Sequence, residues 1–272
     1  MINHQVTNAL LEDTLGFKDY TANLIDNKVV TATITTRENM VLCGSQWVEQ
    51  TLINCDKDTV IVWYVKEGDY VNANTILCQI TALADSLLTA ERTALNFLQL
   101  LSATATHTAK YVEKIKHYPT QVMDTRKTIP GLRIAQKYAV TVGGGYNQRI
   151  GLYDGVLIKE NHIASCGGIK NALQSAFANT PKHLPIQIEV ETFEQLIEAI
   201  SNGATLILLD NMTPTQIKHC VEYVGDKATL EASGNITLDN IESYAQTGVH
   251  RISIGGLTKN IQAIDLTMRI TQ

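Results

Sequence analysis

Several residues that could do chemistry follow short apolar runs in the second half of the chain. They comprise three cations, two carboxylates and two glycine-rich turns: Arg126, Lys127, Lys159, Glu189, Asp210, Ser233-Gly234-Asn235 and Ile254-Gly255-Gly256. Guanidinium and ammonium groups neutralise carboxylates or phosphates, and carboxylates hold hydrated Mg²⁺. As a set they favour a polyanionic small molecule carried with a divalent cation, although each residue alone could be a surface charge or part of a turn.

The distribution of charge along the chain agrees with this chemistry. Between positions 124 and 170, seven basic residues accompany three acidic ones, a net +4, whereas between 187 and 231 eight acidic residues accompany two basic ones, a net −6. Local charge steers a ligand more than total charge does. Both segments could also be solvated helix faces, so composition alone leaves the question open. The overall charge of −5 argues against nucleic acid as the main partner.

The two glycine-rich turns suit a phosphate group. Backbone N–H groups can approach a phosphate closely where no Cβ intervenes, although plain turn formation is the alternative reading. Gly143-Gly144-Gly145 lacks the G-x-G-x-x-G spacing, and the sequence contains no G-x-x-x-x-G-K-[ST]. The sequence therefore supports neither a dinucleotide-binding fold nor a P-loop.

These residues need parallel strands to bring them together. Six short apolar runs alternate with helix-like stretches such as Phe193–Ser201 and Pro214–Tyr223, and the runs are Gln121–Arg126, Gly155–Lys159, Ile186–Glu191, Leu206–Asp210, Ala228–Glu231 and Arg251–Gly255. Glu189, Asp210, Ser233 and Gly255 follow one another at intervals of 21, 23 and 22 residues. This regularity predicts a β/α barrel that is incomplete, because a full barrel has eight strands. The functional residues of such barrels lie at the carboxyl ends of the strands.

The first hundred residues predict a small sheet covered by a helix. Strands are expected at Val29–Thr35, Val60–Val65 and Thr75–Ile80, followed by a helix over Leu87–Ile115 that is either continuous or broken near Ser102-Ala103-Thr104. The hairpin around Glu67-Gly68-Asp69 is similar to that of biotinyl and lipoyl carrier domains, but it lacks their acceptor lysine. We expect a small α+β sandwich domain over 1–106, joined by the tail 266–272, and a six-stranded β/α barrel domain over 107–265.

Other features narrow the class of protein. The 272 residues, 44% of them hydrophobic and 18% charged, suffice for one or two folded domains. The absence of an apolar run of about 20 residues and of a signal-peptide core predicts a cytoplasmic protein that does not bind membranes. Five widely spaced cysteines without a C-x-x-C pair are expected to be packing residues.

Six longer motifs occur in an order that resembles one enzyme family. They are Glu91–Phe97, Asp124–Arg133, Gly143–Arg149, Leu157–His162, Leu208–Met212 and Leu230–Asn235. Together they resemble quinolinate phosphoribosyltransferase, the nicotinate-nucleotide pyrophosphorylase (carboxylating) of NAD biosynthesis. The resemblance covers nearly the whole chain. It implies transfer of phosphoribosyl from 5-phosphoribosyl 1-pyrophosphate to quinolinate with Mg²⁺, giving nicotinate mononucleotide, pyrophosphate and CO₂.

The resemblance also implies a role for each candidate residue. Arg126 and Arg149, with Arg92 reaching across from the second subunit of a homodimer, would hold the two carboxylates of quinolinate. The other substrate-binding candidates are Thr125, Lys127, Gln148 and Lys159, with the two glycine-rich turns on the 5′-phosphate. Glu189 and Asp210 would face the ribose hydroxyls or Mg²⁺, directly or through water. Lys127, Lys159, Glu189 and Asp210 are the catalytic candidates.

The chain departs from the family pattern at two places, and three other functions compete with this one. Gln148 stands where the family commonly has histidine, and Lys259 stands where some members have histidine, with no role assigned here. The alternatives are the molybdenum-transport-associated paralogue of the same fold, a Schiff-base aldolase using Lys159, and a carrier module. The paralogue departs from the D-T-R-K-T and I-K-E-N-H motifs, which this chain keeps.

Overall fold

The computed structural model describes residues 1–17, 19–21 and 24–271. The chain forms two compact units, and it passes between them four times. The first unit contains Met1–Ala109, Ile129–Gly144 and Asn260–Gln272, and the second contains Lys110–Thr128 and Gly145–Lys259. Residues 129–144, which the sequence placed in the barrel domain, thus belong to the first unit. The reason is that Ala135 and Ala139 pack into an apolar cluster of that unit.

The first unit is built on a four-stranded antiparallel sheet with a helical layer. The strands are β1 (Val29–Thr36), β3 (Val60–Trp63), β5 (Ile76–Leu83) and β12 (Leu266–Ile270), in the order β12-β1-β5-β3. A separate hairpin pairs β2 (Met40–Val41) with β4 (Tyr70–Val71). The helices are α1 (Ile2–Thr14), α2 (Ser45–Cys55), α3 (Ala84–Lys114) and α4 (Arg133–Val142). Alternate residues of β1 are buried, and they pack with Leu87 and Leu98 of α3.

Helix α3 is continuous through Ser102-Ala103-Thr104, where a break was one expectation. The threonine hydroxyls in and just after this stretch do not compete with the helix, because they hydrogen-bond to carbonyls one turn earlier: Thr104 Oγ1 donates to Leu100 O at 3.0 Å and Thr106 Oγ1 to Ser102 O at 2.6 Å. Ser102 Oγ also exchanges hydrogen bonds with the backbone of Cys43.

Helices α1, α2 and α4 of the first unit were not among the predicted helices. Helix α1 has only one fully buried residue, Val6, and its sequence therefore lacks the apolar repeat that would predict a helix. Helix α2 begins at Ser45 because Glu67, more than twenty residues away in sequence, caps it. The Glu67 carboxylate accepts the N–H groups of Gly44 at 2.7 Å and Ser45 at 3.1 Å. The Glu67-Gly68-Asp69 hairpin is therefore structural.

The second unit contains the six predicted parallel strands. They are β6 (Gln121–Met123), β7 (Val156–Ile158), β8 (Ile186–Val190), β9 (Leu206–Asp210), β10 (Thr229–Ser233) and β11 (Arg251–Ser253). Their order is β6-β11-β10-β9-β8-β7, so the first strand pairs with the last. Among the described residues β6 and β7 do not pair with each other. The expectation of an incomplete six-stranded β/α barrel is thus confirmed.

Strand β10 differs in its bounds from the predicted run Ala228–Glu231. It continues to Ser233, which places Glu231 at its centre, on the same face of the sheet as Ser233. The helices of this unit are α5 (Glu160–Cys166), α6 (Ile169–Asn179), α7 (Phe193–Ser201), α8 (Pro214–Val224), α9 (Ile241–Ala245) and α10 (Gly256–Lys259). Across the described residues, no helix is both long and apolar enough to span a bilayer.

Candidate active site

The carboxyl ends of the barrel strands carry most of the predicted site residues. Asp210 and Ser233 are paired at the ends of β9 and β10, and Ser233 is also paired with Ser253 of β11. Glu189 lies one residue before the end of β8, and Lys159 directly follows β7. Because all six strands are parallel, these ends meet at one edge of the sheet, as the sequence predicted.

Lys159 and Glu189 face each other at this edge. Lys159 Nζ lies 3.9 Å from Glu189 Oε2, and the Glu189 side chain is only 12% exposed. Burial raises the pKa of Glu189; Lys159 opposes this effect, while Asp210 and Glu160 add to it. The two carboxylates Glu189 and Asp210 are therefore close enough to repel each other, and a cation would relieve that repulsion.

The turn after β10 requires glycine at position 234. Gly234 has φ +101°, and a Cβ there would lie 2.2 Å from Asn211 Oδ1 and 2.9 Å from Asn211 N. Asn211 is held in place because its N–H donates to Ser233 O at 2.9 Å and its Oδ1 accepts from Asn235 Nδ2 at 3.2 Å. Asn211 was not a predicted site residue. The one feature of the sequence that could have indicated it is its position directly after Asp210, the carboxylate at the end of β9.

The turn after β11 lies against Lys127. A Cβ on Gly255 would meet Lys127 Cδ at 2.9 Å and Thr125 Oγ1 at 3.6 Å, and Lys127 Nζ is 3.8 Å from the same point. Thr258 Oγ1 donates to Lys127 O at 2.7 Å, which fixes the backbone of this run to α10. The structure thus brings Thr125 and Lys127 to the Gly255-Gly256 turn.

Both glycine-rich turns present backbone donors. In the described parts of the chain, the N–H groups of Gly234, Asn235 and Gly255 have no protein acceptor. Ile254 differs from them: its side chain is buried and its N–H donates to Met123 O at 3.0 Å. The donors available to an anion therefore come from the residues around the two glycines rather than from Ile254.

Arg149 lines a cavity of about 410 Å³ together with the first residues of β7, β9 and β11. Burial lowers the pKa of the Arg149 guanidinium, and the charge of Arg126 lowers it further, while Asp154 opposes the shift. Arg149 Nη1 donates to Gly155 O at 2.9 Å. Two neighbouring guanidinium groups can pair with a ligand that carries two negative charges.

Gln148 lies beside Arg149 and belongs to a buried polar network that the sequence did not reveal. The network includes Asp124, Gln187 and Glu231, all of them less than 4% exposed. Gln148 Nε2 is 2.6 Å from both carboxylate oxygens of Glu231, and Gln148 N donates to Asp124 Oδ1 at 2.8 Å. In the sequence, the only sign of this network was a glutamate between Leu230 and Ala232, two residues before Ser233.

Arg92 lies in the first unit, whereas the other predicted site residues lie in the second. It is exposed on α3 and lines a cavity of about 510 Å³ formed by α1, α3 and residues 129–132. The walls of this cavity are mixed: His4, Asn8 and Asn96 are polar, whereas Phe97 and Pro130 are apolar.

The acidic residues fit Mg²⁺ rather than a metal enclosed by protein ligands. No group of three or more His, Cys, Asp or Glu side chains suitable for a metal occurs among the residues that the structure describes. Glu189 and Asp210 form a pair, and Mg²⁺ is commonly bound through one or two carboxylates together with substrate phosphates and water. The donor set is therefore suitable for a magnesium ion that arrives with a phosphorylated substrate.

Comparisons with known proteins agree on one family. The family descriptions "Quinolinate phosphoribosyl transferase, N-terminal domain" and "C-terminal domain" match residues 19–102 and 104–269. The chain is 36% identical over 272 residues to the probable nicotinate-nucleotide pyrophosphorylase [carboxylating] of Bacillus subtilis, covering 100% of this chain and 92% of that one. It is 38% identical to the Mycobacterium leprae enzyme of that name, with coverage of 96% and 94%.

Solved structures show the same relationship. The nicotinate-nucleotide pyrophosphorylase of Francisella tularensis is 43% identical, with a TM-score of 0.94 over 99% of this chain and 96% of that one. The enzyme of Ehrlichia chaffeensis is 41% identical, with a TM-score of 0.93 and coverage of 97% of both chains. With both domains matched and nearly the whole length covered, this chain belongs to the quinolinate phosphoribosyl transferase family.

Proposed function

We propose that this chain catalyses the reaction of its family at the carboxyl ends of the barrel strands. Quinolinate and 5-phosphoribosyl 1-pyrophosphate would give nicotinate mononucleotide, pyrophosphate and CO₂. The observation that carries this proposal is the meeting of Lys127, the Lys159–Glu189 pair and the two glycine-rich turns at the carboxyl ends of the parallel strands. A cytoplasmic location, without nucleic acid or membrane as partners, is part of the proposal.

The positive charges of Arg126 and Arg149 would attract the two carboxylates of quinolinate. Its two adjacent carboxylates would offset the repulsion between Arg126 and Arg149, and a planar guanidinium can pair with a carboxylate through two hydrogen bonds. Half-buried cations interact more strongly with an anion than fully solvated ones, because water screens them less. Nicotinate carries one carboxylate and would leave part of this repulsion uncompensated.

The phosphorylated substrate would occupy the glycine-rich turns. The N–H groups of Gly234, Asn235 and Gly255 suit the 5′-phosphate, and Lys127 and Lys159 suit the charge of pyrophosphate. Glu189 and Asp210 would accept the ribose hydroxyls or hold Mg²⁺ through water. Mg²⁺, when bound, would neutralise pyrophosphate as it leaves.

No side chain needs to act as a nucleophile. The pyridine nitrogen forms a bond to ribose C1 while the bond from C1 to the pyrophosphate oxygen breaks. The bond from ring C2 to its carboxylate then breaks, the electron pair stays on the cationic ring, CO₂ leaves, and C2 takes a proton. The residues of the site contribute by positioning the two substrates and by stabilising the separated charges.

Product analysis tests this function. Protein incubated with quinolinate, 5-phosphoribosyl 1-pyrophosphate and Mg²⁺ is expected to give nicotinate mononucleotide by mass spectrometry, and EDTA is expected to abolish turnover. Nicotinate in place of quinolinate serves as the matched control and should react poorly. Efficient use of nicotinate with no use of quinolinate would overturn the proposal.

The homodimer with a shared site is a separate part of the proposal. It is supported by the exposed Arg92 beside a partly apolar cavity, which a second copy of the chain could cover. In a symmetric dimer, Arg92 of one subunit would reach the barrel of the other. Arg92→Ala and Lys159→Ala should each be nearly inactive alone.

Subunit exchange distinguishes this arrangement from a site within one chain. A mixed dimer of the two variants has one site with both lesions and one with neither. Random exchange makes half of the dimers mixed, so activity should recover to about a quarter of wild type. If exchange is verified by mass spectrometry and activity stays at the level of the parents, Arg92 does not act across the interface.

A further inference from the structure

A buried carboxylate lies inside the barrel, next to Arg251 in the strand register but not ion-paired with it. Glu231, at the centre of β10, is 0% exposed. Within the described chain it forms no ion pair, and its hydrogen-bond partners are two neutral amides, those of Gln148 and Gln187. A buried charge without a cationic partner is costly, so its presence in a barrel core calls for a reason other than stability.

The two amides and the carboxylate form one connected network. Gln148 Nε2 lies 2.6 Å from each oxygen of Glu231 and 2.9 Å from Gln187 Oε1, and Gln187 Nε2 donates to Glu231 Oε2 at 3.1 Å. Because a carboxylate only accepts hydrogen bonds, it forces the Gln148 NH₂ group to face the barrel interior. The amide oxygen of Gln148 must then point the other way.

That oxygen bonds to the next residue of the chain. Gln148 Oε1 accepts the backbone N–H of Arg149 at 3.1 Å, and Gln148 N donates to the buried Asp124. The main chain at positions 148 and 149 is therefore held at both ends, by Asp124 through Gln148 N and by Glu231 through the Gln148 side chain. The start of the Arg149 side chain is fixed by this arrangement.

We infer that Glu231 is a positioning residue for quinolinate binding, acting through Gln148 on Arg149. The inference rests on the proposed function, since it takes Arg149 as a ligand of quinolinate. A neutral residue at position 231 would let the Gln148 amide rotate, and Arg149 would lose its fixed orientation. Glu231 itself touches neither substrate in this scheme.

Glu231→Gln is the variant that separates positioning from a merely structural role. It keeps the shape of the side chain and removes the buried charge, so the thermal midpoint should stay the same or rise. We expect KM for quinolinate to increase about tenfold, the size expected for losing a hydrogen bond to a charged group, and KM for 5-phosphoribosyl 1-pyrophosphate to change less than twofold. A structural role predicts a lower midpoint and equal changes in both KM values.

Two further variants complete the test. Thr229→Val, on the same face of β10 but outside the network, is the matched control and should change neither KM. Gln148→Met removes the link between Glu231 and Arg149, so adding Glu231→Gln to it should cause no additional rise in the quinolinate KM. Additive effects of the two substitutions would overturn the inference.

Crystal structures provide a readout that does not depend on turnover. In Glu231→Gln, the Gln148 amide should leave its wild-type orientation and the Arg149 contact with Gly155 O should be lost. Unchanged Gln148 and Arg149 positions would overturn the positioning role, whatever the wild-type protein does with quinolinate. Absence of product from wild-type protein would instead refute the proposed function alone.

Discussion

Replacing Gly234 by alanine should destabilise the protein by about 2.5–6.5 kcal/mol, because the backbone and a neighbouring residue both oppose a Cβ there. The φ angle of +101° is unfavourable for any L-residue. A Cβ would also lie 2.2 Å from Asn211 Oδ1, 2.8 Å from Asn211 Cγ and 2.9 Å from Asn211 N. The last of these is a backbone atom, which cannot move away as a flexible side chain can.

The magnitude combines three contributions. A positive φ costs about 1–2 kcal/mol for a residue with a Cβ. Overpacking against a backbone atom adds about 1–3 kcal/mol. Moving Asn211 breaks its hydrogen bond with Asn235 Nδ2, which is worth about 0.5–1.5 kcal/mol.

Urea unfolding of two alanine variants measures these contributions separately. Gly248 has φ +81°, and its Cβ would meet only Val221 Cγ1, at an ordinary 3.6 Å, so Gly248→Ala reports the backbone cost alone. Gly234→Ala should lose at least about 1.5 kcal/mol more than this control by the overpacking and hydrogen-bond contributions above. It should also weaken binding of the phosphorylated substrate. Equal losses of unfolding free energy in the two variants would show that Asn211 moves aside without cost, which would refute this prediction.

Three other substitutions are expected to differ in their effects on stability and on substrate binding or turnover. In Gly255→Ala the only close contact of the new Cβ is the flexible Lys127 side chain at 2.9 Å, so the unfolding free energy should change by less than about 1 kcal/mol while KM for 5-phosphoribosyl 1-pyrophosphate rises. Burial raises the pKa of Glu189, so the ionised carboxylate destabilises the folded protein at high pH. Glu189→Gln should therefore raise the thermal midpoint at pH 8 and leave it nearly unchanged at pH 4, where the carboxyl is protonated. Turnover should fall at both pH values. Glu67→Gln weakens the cap of α2 and should lower the free energy of unfolding by about 1–2 kcal/mol in urea titrations, with unchanged KM values.

The sequence predicted those features that depend on local pattern. The spacing of Glu189, Asp210, Ser233 and Gly255 indicated the parallel strands, because each strand-helix unit repeats a similar length. The observed strands end within two residues of these positions. The charges at the strand ends were visible for the same reason.

Features that depend on distant partners were not predictable. Helix α2 begins where Glu67 caps it from another part of the chain, and nothing near Ser45 signals this. Residues 129–144 join the first unit because of the residues they contact, not because of a change in composition. Glu231 was counted only as acidic charge, since its significance depends on Gln148, more than eighty positions earlier.

The pairing of β12 with β1 has a consequence for biosynthesis. Strand β1 lies between β12 and β5, and its partners in β12, such as Ile270 opposite Ala32, are at least 230 residues further along the chain. During translation, β1 must therefore wait with one edge unpaired until the last strand emerges. Unpaired edges are prone to associate with other chains, so nascent and C-terminally truncated forms of this protein should depend on chaperones more than the finished enzyme does.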